Sequence, residues 1–172
     1  MSGLRFDVVA FVGGNRINLL GSAAEVVCLF RLIEEFAAPF LDEKERLIVL
    51  DRLFKRYLTI AETPIAIDAM KTVQERFAAI SIFDINWEKF GFDKQPKLFD
   101  TTTGSLREST EDCFGRFYQC ASSVLYMHNV ENRILRPVKL SRSDFGSLYE
   151  ADQRPLEEYD ALVGPPFWLA KN

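Results

Sequence analysis

The chain has 172 residues, 48 % apolar and 27 % charged, with a net charge of −4 and a pI of about 5.2. That size and balance fit one globular domain, residues 1–172, able to bury a core without disulfides or metals. The acidity argues against direct nucleic-acid binding, which needs clustered Lys and Arg, and suits a basic protein partner. No apolar run reaches the length of a membrane span and the N-terminus carries no signal-peptide pattern. Three cysteines in no zinc or redox spacing predict reduced thiols, no metal, no cofactor and a cytoplasmic location. Fifteen phenylalanines predict a core rich in aromatic packing.

In chain order, "LRFDVVAFV" over 4–12 predicts a strand. Gly13-Gly14-Asn15 follows, and "RINLL" at 16–20 reads as the return strand of a hairpin. A phosphate loop is the competing reading. It fails because G-x-x-x-x-G-K-[ST] requires a Lys that is missing, and no glycines stand at 15 and 18 for a dinucleotide loop. Ser22-Ala-Ala-Glu25 is a capping box for a buried helix running to Ala38, closed by Pro39. Asp42–Glu45 repeats the pattern. Leu47, Leu50, Leu53, Phe54, Tyr57 and Leu58 then form the apolar stripe of a second helix. Thr63-Pro64 starts a third, with Ala66, Met70, Val73, Phe77 and Ile80 facing inward.

Residues 81–104 read as a short strand in "SIFDINWEKFGF" followed by loop. Ser109 or Thr110 opens a fourth helix to about Asn129. Phe114, Phe117, Ala121, Val124, Leu125 and His128 share one of its faces, and Gly115 stands in its middle. "RILRPVKLSR" predicts a strand with Pro137 at an edge or bulge. A loop with one short helix after Pro155 follows, and "PPFWLAKN" closes the chain as an extended segment. The fold class expected is α+β: a helix-dominated single domain with about four main helices and a small, mostly antiparallel sheet.

No catalytic residue is assigned. His128 is the only histidine, so it cannot share a metal with another, and a dyad with Cys113 or Cys120 depends on the fold. The adjacent acids Glu34-Glu35, Glu111-Asp112 and Glu157-Glu158 point to different helix faces and read as solvated surface. The informative feature is charge placement. Between 144 and 160 stand Asp144, Glu150, Asp152, Glu157, Glu158 and Asp160 against one Arg154, a net of −5 in a chain of −4. Phe145, Tyr149 and Tyr159 are interleaved with them. Acids that steer and aromatics that anchor suit a surface for a basic protein, so these nine residues, Arg154 excepted, form the candidate partner-binding set. The plainer reading is a solubilising surface.

The arrangement of "LRFDVVAFV", "GSAAEVVCLFRLIEEF", "AIDAMKTVQERFAAI" and "SLYEADQRPLEEYDALVGPPFWL" resembles bacterial toxin-immunity proteins of contact-dependent and polymorphic toxin systems. The resemblance implies a small, acidic, non-catalytic cytoplasmic protein. It would bind one cognate toxin domain, often a basic nuclease, and block its active site. Two other classes stay open: a small enzyme or ligand-binding domain with an inter-helix pocket, and an adaptor or chaperone subunit exposing a large apolar patch.

Overall fold

The computed structural model describes residues 8–99, 104–131, 136–143 and 165–169. Strands β1 (Val8–Gly13) and β2 (Arg16–Gly21) form the expected hairpin. Strand β3 (Lys139–Ser143) joins the other edge of β1, giving an antiparallel sheet of order β2-β1-β3. Helices α1 (Ala23–Phe36), α2 (Glu43–Leu47), α3 (Glu62–Phe77), α4 (Leu106–Ser109) and α5 (Glu111–Glu131) supply the rest. The helix-dominated α+β class holds.

Each helix start has a local cause. Ser22 accepts from the Glu25 amide while Glu25 reaches back to the Ser22 amide, and Asp42 with Glu45 does the same for α2. The start of α3 lies earlier than Thr63-Pro64 suggests. Thr59 and Glu62 exchange the two capping bonds, at 3.2 and 2.9 Å, and "TIAE" carries the T-x-x-E spacing that would have found them. The long helix expected from Ser109 or Thr110 is α5, which begins at Glu111, and a separate short helix, α4, precedes it. Ser105 accepts from Glu108 N at the head of α4, and the chain breaks at Thr110 before α5 continues.

The stripe of the second helix is displaced. Past Leu47 the helix widens into π turns over Ile48–Leu53, which shift the side-chain register relative to 3.6 residues per turn. Leu53 is buried as expected, but Ile48 and Val49 are buried in place of Leu47, which is exposed. The helix also ends at Lys55, short of Tyr57 and Leu58. Those two remain buried, and Leu58 N donates to Val138 O at 2.9 Å. The short strand expected after 81 is a single bridge, Ser81 to Ser105, followed by 3-10 turns at Ile82–Asp84 and Trp87–Phe90. The chain end is not extended at its described part: Phe167–Leu169 is a 3-10 turn. The start of the first predicted strand, the chain at 132–135 and the short helix after Pro155 lie outside the described residues.

The core is built on phenylalanine, as the composition implied. Phe11, Phe30, Phe77, Phe99, Phe114 and Phe117 are fully enclosed. Edge-on contacts of Phe11 with Phe117 and of Phe77 with Phe114 tie the sheet and α3 to α5. On α5 the inward stripe is Cys113, Phe114, Phe117, Cys120, Ala121, Val124 and Met127. Leu125 and His128, expected on it, lie half-buried at its margin.

Candidate functional site

The glycine pair is settled by what lies behind it. Gly14 has φ +59°, the sign that the first position of a two-residue hairpin turn needs. A Cβ there would come within 2.3 Å of Ser123 Oγ, and one on Gly13 within 3.1 Å of Val124 Cγ2. The amides a phosphate would need are already used: Gly14 N donates to Arg136 O and Asn15 N to Ser123 Oγ. The glycines let α5 lie directly against the turn. Around them the hairpin is clasped to α5 through Asn18 Nδ2 on Arg116 O and Arg16 Nη2 on Gln119 Oε1.

Cys28, Cys113 and Cys120 are free and buried. Burial pushes each thiol up to about 12, and Cys120 donates to Phe11 O from inside the core. A thiol held protonated and out of solvent is a poor nucleophile. The His–Cys dyads fail on geometry as well. Cys113, Cys120 and His128 all lie on α5, and eight residues of helix separate the nearer pair by about 12 Å of rise. Among the described residues no group of three or more His, Cys, Asp or Glu could hold a metal ion.

Two surface depressions flank the hairpin and α5. A groove of about 830 Å³ runs between Leu20 of β2, the loop at Lys94–Phe99 and the start of α5. It brings Lys94, Lys97 and Arg116 near Glu108, Glu111 and Asp112, a mixed-charge surface that can bind ionic groups of either sign. Ser105 beside it is hydrogen-bonded to Glu108, but in the act of capping α4. A shallower depression is bounded by Arg16, Tyr118, Gln119, Ser122, Ser123 and Tyr126. Burial raises the Tyr118 phenol to about 12, and its hydroxyl donates to Gln74.

The nine candidate residues, Asp144, Phe145, Tyr149, Glu150, Asp152, Glu157, Glu158, Tyr159 and Asp160, lie outside the described residues. What is described is the chain on either side of them. On one side β3 is held in the sheet. On the other, Trp168 is buried, its Nε1 donating to Phe54 O at 2.7 Å and its ring edge-on to Phe54. Arg142 of β3 reaches Leu169 O at 3.5 Å, so the chain that leaves β3 returns beside it.

No family model, curated protein or solved structure matches this chain. No described helix is long and apolar enough to cross a membrane. The exposed apolar side chains among the described residues, Leu19, Phe40, Leu47, Phe83, Tyr126 and Val130, are spread over several elements, and Phe40 is covered by the Arg76 guanidinium at 3.7 Å. The signal that sequence reading missed is the hairpin's clasp to α5. Its polar side chains, Arg16, Asn18 and Gln119, carry no motif and meet only through the fold.

Proposed function

We propose that the chain is a non-catalytic, cytoplasmic immunity protein that binds a cognate toxin domain, a basic nuclease in the leading case, and neutralises it by covering the active site. The observation that carries this reading is the concentration of six acids and three aromatics in 144–160, in a chain whose remaining residues sum to +1. The chain on both sides of that segment is anchored at β3, which suits a surface presented from a rigid base. Acids there would occupy a cleft that normally holds phosphate, while Tyr149, Tyr159 and Phe145 supply contact area. The withdrawal of the three thiols supports the same reading, because it removes the nucleophiles on which the enzyme alternative leaned.

The test is co-expression and co-purification with the toxin domain encoded beside this chain. A complex and restored growth are expected; no complex at micromolar concentration overturns the proposal. Reversing Glu157, Glu158 and Asp160 to Lys is expected to slow association about tenfold at low salt and flatten its salt dependence. Unchanged association kinetics would remove the acidic segment from the mechanism.

A further inference from the structure

We propose that the groove between the Lys94–Phe99 loop and the start of α5 binds a short peptide with both ends free, its carboxylate on the loop wall and its ammonium on the helical wall. None of the lining residues belongs to 144–160, so this assignment does not depend on the immunity reading. The groove, about 830 Å³, lies in the size range of small-ligand sites. Its ionic side chains balance overall but are sorted by wall. The loop carries Lys94 and Lys97, while the helical side carries Glu108, Glu111 and Asp112 against Arg116. A net of two positive charges thus faces a net of two negative ones. None of the six is ion-paired with a described residue. Asp112 and Arg116 forgo even the pair that their i, i+4 spacing permits. Opposite charges left apart across a groove set up a fixed dipolar field. A simple ion gains at one wall and loses at the other, whereas a ligand carrying both signs gains at both.

Both walls are set before any ligand arrives. Leu98 N donates at 2.8 Å to Glu25 Oε2, whose carboxylate also caps α1. Gln95 Nε2 donates to Phe99 O at 2.7 Å, and the Phe99 ring stacks on Trp87 with centroids 5.5 Å apart. These contacts fix the backbone that carries Lys94 and Lys97. Opposite them, Ser105 Oγ donates to Glu108, and Glu111 and Asp112 stand in the first turn of the 21-residue α5. Walls ordered in advance spare a ligand the cost of ordering them. Leu20, Leu98 and the enclosed Phe99 also line the groove, so an apolar side chain has a surface to cover. Two poles, an apolar lining and room for a drug-sized ligand select a short peptide over a small zwitterion with no side chain.

The test titrates the tripeptide Ala-Leu-Ala into the isotope-labelled full chain and follows backbone amides by NMR. Amides of 94–99 and 108–116 should shift and saturate with a Kd on the order of 1 mM, the weak range that exposed charges support. Acetylating the peptide's amine or amidating its carboxylate should each weaken binding about fivefold. Lys94→Gln with Lys97→Gln should weaken the free peptide by a similar factor and leave the amidated peptide unaffected. Glu111→Gln with Asp112→Asn should weaken the free peptide and leave the acetylated one unaffected. These four side chains are exposed, so circular dichroism should show the fold retained, and the blocked peptides need no variant at all. No saturable shift up to about 20 mM, shifts confined to other surfaces, or blocked peptides that bind as well as the free one overturn the proposal.

Discussion

Gly14 shows how little slack the hairpin has. Its positive φ and the closeness of Ser123 Oγ leave no space for a methyl group. Gly14→Ala is expected to destabilise the fold by about 1–3 kcal/mol, read as a lower urea midpoint. The thiols make a second prediction. Cys28, Cys113 and Cys120 keep their protons in the folded state up to about 12, against 9.0 for the free group. Between these values the unfolded chain loses protons that the folded chain retains, so stability falls as pH rises. Their contribution is fully present below about pH 9 and is lost by about pH 12. Unfolding at graded alkaline pH should show that decline, and thiol reagents should label the native protein only as it opens.

At the level of elements, the caps account for most of what was legible. The S-x-x-E and D-x-x-E boxes placed α1 and α2 to the residue, because the side chain and amide that form the cap are local. Thr59→Ala should cost about 1 kcal/mol by removing the cap of α3, whereas Pro64→Ala should change little. The π turns at Ile48–Leu53 were not legible, since the exchange of Leu47 for Ile48 at the core is decided by neighbouring elements. The same holds for the single bridge at Ser81, where tertiary contacts set how much strand forms. Trp168 is the clearest tertiary case: its short turn has no periodicity to read, yet the indole bonds Phe54 O and fills the space beside it. Trp168→Ala is expected to lower stability by about 3–5 kcal/mol, measurable by denaturant titration, and to release the return of the chain to β3.

For the whole molecule, the sheet is the feature that composition and periodicity reached, in kind if not in full. The hairpin follows from adjacent residues, but the pairing of β1 with β3 joins segments far apart in the sequence, Val8 beside Ser143 and Val12 beside Lys139. The candidate partner-binding segment was legible only as charge, since recognition surfaces have no period. That long-range pairing has a consequence for synthesis. β1 is translated well before the strand that fills its second edge, by several seconds at ordinary elongation rates. For that interval the nascent hairpin carries two open edges, and the core that Phe11 shares with Phe117 is still unmade. Long-range closure of this kind is slow, so the growing chain has a window in which strand exchange with its neighbours on the same message competes with folding.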